Sequence, residues 1–84
     1  MGTSPAKGLE RMAQIFQCFT EAPEWGVSEL ADRLGEPKSV IHRSVSTLTA
    51  HHYLEQDPVT KRYRLGFMLM RLGALAAQGN DLRN

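Results

Sequence analysis

Residues Val27 to His52, VSELADRLGEPKSVIHRSVSTLTAHH, decide how this chain folds, and they read as two short helices joined by a tight turn. Ser28 suits an N-cap with acid in the following turn, Leu30 and Leu34 share one face, and Gly35 supplies the flexible break of a sharp helix end. Pro37 then suits the first position of a second helix, where a missing N–H costs nothing. Ile41, Val45 and Leu48 recur at i, i+4 and i+7 as one apolar stripe. The opposite face carries Lys38, Ser39, His42, Arg43, Ser46 and Thr47, a set of hydrogen-bond donors that no apolar side chain interrupts. A helix-turn-helix offers such a face to the major groove of DNA, where donors meet guanine O6 and N7 or phosphate oxygens.

Upstream, Pro5 to Thr20 keeps a helical period. Leu9, Met12, Ala13, Ile15, Phe16 and Phe19 form a core stripe, with Lys7, Glu10, Arg11, Gln14 and Gln17 on the other side. Cys18 is expected to pack at the edge of that stripe, since no basic neighbour in sequence would make its thiol reactive. Pro23 and Gly26 end this helix in a turn. Trp25, the only tryptophan, is expected to cover the edge of the core, and Val27 to pair as a very short strand with a hairpin further on.

That hairpin follows the central helices. Tyr53 and Leu54 start a strand, Asp57 and Pro58 open a turn, and Tyr63 and Leu65 alternate with Arg62 and Arg64 on the return. With Tyr63 and Leu65 toward the core, Arg62 and Arg64 face outward beside Lys61 at the tip. A hairpin in this place is a wing, and its basic tip suits the sugar-phosphate backbone or the minor groove. Gly66 ends the wing, and FMLMRLGALAAQ reads as a last helix over residues 67–78. It is apolar on more than one face, which suggests that part of it meets another chain or domain.

Composition narrows the function. A chain of 84 residues allows one domain with a small core. The formal net charge is only +1. Residues 1–36 nevertheless hold three basic and six acidic groups, whereas residues 37–65 hold five basic and two acidic ones. Positive charge therefore gathers on the segment with the polar helix face. One cysteine allows no internal disulfide, no cysteine–histidine spacing resembles a metal site, and no cofactor is implied. Adjacent His51 and His52 diverge too far to chelate one ion and suit a helix C-terminus instead. His42 is either a phosphate or base contact or simply exposed. Paired carboxylates, an activated nucleophile and a phosphate-cradling glycine loop are all missing, so an enzyme is not expected. With no signal-peptide run and no spanning segment, a cytoplasmic protein without membrane contact is expected.

The succession SELADRLG, PKSVIHR, YLEQDP and YRLG, in that order and spacing, resembles the N-terminal domain of the isocitrate lyase regulator (IclR) family of bacterial and archaeal transcription factors, from about Leu9 to Ala77. The fold class expected is mainly α with a small β-hairpin, a winged helix-turn-helix followed by a linker helix. The resemblance implies binding of double-stranded operator DNA, near-palindromic, by a homodimer that pairs through its first and last helices. It also implies a recognition helix over residues 37–50 with Lys38, Ser39, Val40, Arg43 and Thr47 in or near the major groove. Ser28 would meet a phosphate at a helix N-terminus, and Lys61, Arg62 and Arg64 would take the wing, residues 57–64.

The division that follows is a disordered start at residues 1–4, the winged helix-turn-helix at 5–66, the linker helix at 67–78 and a polar tail at 79–84. That tail would lead to an effector domain through which alone a small molecule would act. Three positions depart from the family pattern. His52 stands where a glycine is usual before the wing, Lys61 where one is common at the wing tip, and Glu36 where the inter-helix turn is more often apolar. The alternative reading is a winged-helix module that binds protein, with the apolar last helix as its working surface and the basic face incidental.

Overall fold

The computed structural model describes residues 7–80, so the start expected at residues 1–4 and the last residues of the polar tail lie outside the described residues. Four helices and one antiparallel hairpin follow in the order α1 (Lys7–Cys18), α2 (Val27–Leu34), α3 (Lys38–Ala50), β1 (Leu54–Gln56), β2 (Tyr63–Leu65) and α4 (Phe67–Asn80). This is the expected winged helix-turn-helix with a trailing helix.

The core lies where α1, α2, α3 and the base of the hairpin converge. Ile15, Leu30, Ile41, Val45, Leu48 and Leu54 are its largest fully buried side chains, joined by Cys18, Ala31 and Tyr63. Met12, Phe16, Phe19, Trp25, Val27, Leu34 and Tyr53 pack around them. The stripe on α1 is shorter than its periodicity suggested, because Leu9 is 67% exposed and Ala13 also faces out. The early turns of α1 border α3 across an open groove lined by Gly8, Leu9, Arg11, Met12, Arg43, Ser44 and Thr47 and are not closed over by it. Arg11, expected on the solvent side, turns inward instead. Its guanidinium lies 3.6 Å from the Glu36 carboxylate, with side chains only 16% and 20% exposed. The acid at the inter-helix turn therefore has a half-buried counter-ion on α1, which accounts for its presence where an apolar residue is usual.

Ser28 is not the N-cap of α2. Gly26 occupies that place in extended conformation, and Glu29 Oε1 accepts its N–H at 2.8 Å. The free donor is thus met by a carboxylate from within the helix, and α2 begins before Ser28. Gly35 ends α2 with φ 67°, while the Glu36 N–H reaches back to the Ala31 carbonyl at 3.0 Å. Pro37 precedes α3 rather than opening it. Its ψ of 146° keeps it extended, and its carbonyl accepts from Val40 and Ile41 N–H. At that place, too, an absent N–H leaves nothing unmet.

His52 closes α3 in the left-handed region, φ 69°. Its N–H bonds to the Thr49 carbonyl, and the Tyr53 N–H to the Leu48 carbonyl at 2.9 Å, a Schellman closure with Tyr53 packed on the core. Tyr53 therefore belongs to the helix end, and β1 starts one residue later than expected. In the hairpin Leu54 faces Leu65, Glu55 faces Arg64 and Gln56 faces Tyr63. Tyr63 is buried as expected, but Leu65, the last residue of β2, is 42% exposed and so does not join the core. Trp25, not Val27, adds a one-residue third strand, beside Tyr63. Its N–H donates to the Tyr63 carbonyl at 2.9 Å, and its own carbonyl accepts from Tyr63 at 2.7 Å. Val27 is already the first residue of α2, so its backbone has turned helical and its carbonyl points along the helix.

The step from wing to α4 is tight. The Gly66 N–H bonds to the Tyr53 carbonyl at 2.8 Å, the Met68 N–H to the His52 carbonyl at 3.1 Å, and the Phe67 ring lies against the His52 imidazole with centroids 5.3 Å apart. A Cβ on Gly66 would sit 2.4 Å from the His52 carbonyl oxygen and 3.0 Å from the Tyr53 carbonyl carbon, both backbone atoms. Gly66→Ala is therefore expected to destabilise the fold by about 1–3 kcal/mol, read as a lower urea midpoint at unchanged m-value. A variant as stable as the parent would show that this corner can open without loss.

Candidate nucleic-acid interface

Burial of Ile41, Val45 and Leu48 leaves Lys38, Ser39, His42, Arg43, Ser46 and Thr47 all exposed on the far side of α3. Val40 is half-buried at the edge of this face. No acidic residue occurs anywhere in α3, and among the described residues Lys38 and Arg43 have no ion-pair partner. The Thr47 hydroxyl donates to the Arg43 carbonyl at 3.1 Å, which leaves its oxygen lone pairs facing out. Ser44 and Thr49 bond in the same way to the Val40 and Val45 carbonyls, away from the exposed face. The result is a cationic, donor-rich strip along one helix.

A cleft of about 470 Å³ lies between this strip, the first turn of α2 and the wing. Its lining includes Ser28, Glu29, His42, Thr60, Lys61 and Arg62. Ser28, although not a cap, is exposed in the first turn of α2, where unpaired backbone N–H groups and the helix dipole favour an anion. The cleft thus brings together candidates that lie far apart in the sequence.

The wing tip is built by Asp57. Its carboxylate accepts from Val59 N–H at 2.7 Å and Thr60 N–H at 2.9 Å, and its backbone accepts from Lys61 and donates to Arg62, each at 2.8 Å. Lys61 completes the turn with φ 67°, so the glycine common at this place is replaced by a strained but cationic residue. The two arginines do not stand free. Arg62 Nη1 lies 3.0 Å from Glu29 Oε1 and its Nη2 donates to the Glu24 carbonyl at 3.0 Å, while Arg64 Nε lies 3.3 Å from Glu55 Oε1. The acids Glu24, Glu29 and Glu55 were not among the candidates. Glu55 was legible from the hairpin register, whereas Glu24 and Glu29 were not, because their partner is over thirty residues away.

Elsewhere, Cys18 is buried, and desolvation pushes its thiol up, so it is an inert packing residue. Trp25 covers the core edge and donates Nε1–H to the Cys18 carbonyl at 3.0 Å. No helix of the described residues is long and apolar enough to cross a membrane, and no group of three potential metal ligands occurs among them.

Three carboxylates are held below their usual range: Asp57 by the Thr60 and Val59 N–H groups, Glu29 by the Gly26 N–H and then Arg62, and Glu21 by its hydrogen bond from Arg33. A depressed carboxylate adds stability that is complete above its unfolded-state pKa and disappears as pH falls through the folded value. Stability is therefore expected to be flat through neutral pH and to drop below about pH 4. Asp57→Asn is expected to lose part of that acid dependence in urea titrations run across pH. An identical pH profile for parent and variant would refute this role of Asp57.

The sequence profile of the IclR helix-turn-helix domain matches residues 8–58. The transcriptional regulator XynR of Escherichia coli is 33% identical over 78 residues, which is 92% of this chain and 31% of that protein. An IclR transcriptional regulator from Alicyclobacillus acidocaldarius superposes with a TM-score of 0.83 and 30% identity over 95% of this chain and 32% of its own. Pseudomonas aeruginosa HmgR superposes with a TM-score of 0.75 and 32% identity over 86% of this chain and 30% of its own. The chain thus spans about a third of the length of these relatives.

Proposed function

This chain belongs to the IclR family of helix-turn-helix transcriptional regulators, and from that membership we propose that it is a sequence-specific reader of double-stranded DNA in transcriptional control, acting in the cytoplasm. One observation carries the reading: the exposed face of α3 is a continuous polar, cationic strip without an acid, beside a wing whose tip carries Lys61, a lysine with no acid partner among the described residues. Recognition runs along residues 37–50. Arg43 and Ser39 read base edges, with Val40, His42, Ser46 and Thr47 beside them, while Lys38 meets phosphate. Ser28 meets a phosphate at the start of α2, and the wing lies on the backbone or in the minor groove, with Lys61, Arg62 and Arg64 supplying its charge.

Pairing into a homodimer is supported by apolar side chains left uncovered on the first and last helices, among them Leu9, Met70, Leu72 and Leu75. A two-fold dimer reads a near-palindromic operator, with half-sites one helical turn or a multiple apart.

Fluorescence anisotropy with duplex DNA, titrated from low to physiological salt, tests the reading. Log affinity is expected to fall linearly with log salt, with a slope worth several phosphates. Arg43→Ala is expected to cost about 1–3 kcal/mol on the preferred sequence and to flatten the preference among sequences. Salt-independent behaviour, or no binding even at low salt, would transfer the role to the apolar surface of α4 and a protein partner.

A further inference from the structure

Arg62 is the most heavily engaged cation of the wing. Its Nη2 donates to the Glu24 carbonyl at 3.0 Å, its Nη1 lies 3.0 Å from Glu29 Oε1, and its Nε lies 3.6 Å from Glu24 Oε1. Every nitrogen of the guanidinium thus faces an acceptor either on the segment that leads into α2 or in the first turn of α2 itself. Glu29 Oε1 is also the atom that accepts the Gly26 N–H, so one carboxylate caps the helix and holds the wing. The neighbour of Arg62 in the wing, Tyr63, exchanges two backbone hydrogen bonds with Trp25, the neighbour of Glu24. Side-chain and backbone contacts therefore tie the same two segments together.

We propose that Arg62 is a positioning residue that locks the wing onto the start of α2, and that Lys61 makes the wing's phosphate contact. The inference rests on the DNA-binding reading and assigns different parts to two residues which that reading treats alike. An exposed ion pair holds little by itself. Here a planar fork meets two carboxylates and a carbonyl at once, an arrangement that fixes direction as well as distance. If Arg62 swung out to a phosphate, Glu24 and Glu29 would be left unpaired beside a polyanion, and their repulsion would offset the new contact. Lys61 carries no such penalty. It is exposed at the tip, its backbone is set by the Asp57 carbonyl and by the Gln56 side chain, and its ammonium has no acid partner among the described residues.

The test compares the parent chain with Lys61→Ala, Arg62→Ala and Glu29→Gln on a mixed-sequence duplex across a salt series. Gln at position 29 keeps an oxygen for the Gly26 N–H, so α2 stays capped. Lys61→Ala is expected to lower the slope of log affinity against log salt by about 0.9. Arg62→Ala is expected to weaken binding about 2- to 10-fold with the slope unchanged. Glu29→Gln is expected to weaken binding by a similar factor although it removes a negative charge, and the double variant to lose no more than Arg62→Ala alone. Amide hydrogen exchange gives a readout without DNA: the Trp25 and Tyr63 N–H groups should exchange faster in Arg62→Ala and Glu29→Gln, with the Val45 N–H unchanged. Tighter binding by Glu29→Gln, a reduced slope for Arg62→Ala, or unaltered exchange at Trp25 and Tyr63 would each overturn the assignment. If the parent fails to bind DNA at low salt, the DNA-binding reading falls, and the exchange rates still decide whether Arg62 locks the wing.

Discussion

The structure depends above all on the burial of Ile41, Val45 and Leu48. Successive residues of a helix are about 100° apart, so fixing three of them in the core fixes the rotation of α3 about its own axis. No further interaction is needed to aim Lys38, Ser39, His42, Arg43, Ser46 and Thr47 outward. The same burial gives α1 and α2 something to pack on, since Ile15 and Leu30 close over the stripe and share its full exclusion from water. Replacing a core residue of this kind by alanine usually removes about 2–5 kcal/mol. A domain this small has little reserve beyond that, so the orientation of the exposed strip and the stability of the fold are one property.

The wing is organised differently. Its strands are three residues each and bury only Leu54 and Tyr63 well, so hydrophobic contact alone would hold it loosely. Directional contacts make up the difference. Trp25 adds a one-residue third strand on the far side of β2, Asp57 satisfies the donors of the tip, and the arginines meet acids on either side. Short elements with little apolar area rely on such contacts because each adds geometry where packing adds little.

Much of the fold was legible because it follows from periods along the chain. The 3.6-residue period of α3 separates its buried and exposed sides without reference to any other segment, and both sides came out as read. Alternation in the wing placed Tyr63 inward for the same reason. What escaped depends on which segment meets which. Ser28 looked like a cap because hydroxyls usually cap helices, yet Trp25 pins the chain to Tyr63 and Glu29 supplies the acceptor, so α2 starts earlier. Val27 was given the strand-like role that Trp25 takes. Arg11 looked like a solvent residue from its place opposite the α1 stripe, and only the turn at Glu36 explains why it folds inward. Arg62 looks like free charge in the sequence because Glu24 and Glu29 come next to it only in three dimensions. In each case the missing information was a contact between distant segments, to which period and propensity are blind.

The corner at Gly66 has a mechanical consequence. Two backbone hydrogen bonds and the His52–Phe67 stack clamp the first turn of α4 to the end of α3, whereas every side chain from Met70 to Gly79 is exposed. A 14-residue helix is about 21 Å long, so α4 is a lever with its fulcrum at the end of α3. A tilt of about 10° at the corner moves the far end by about 4 Å. Conversely, a load applied at the far end reaches α3 as torque on His52, through the one corner where both helices are anchored.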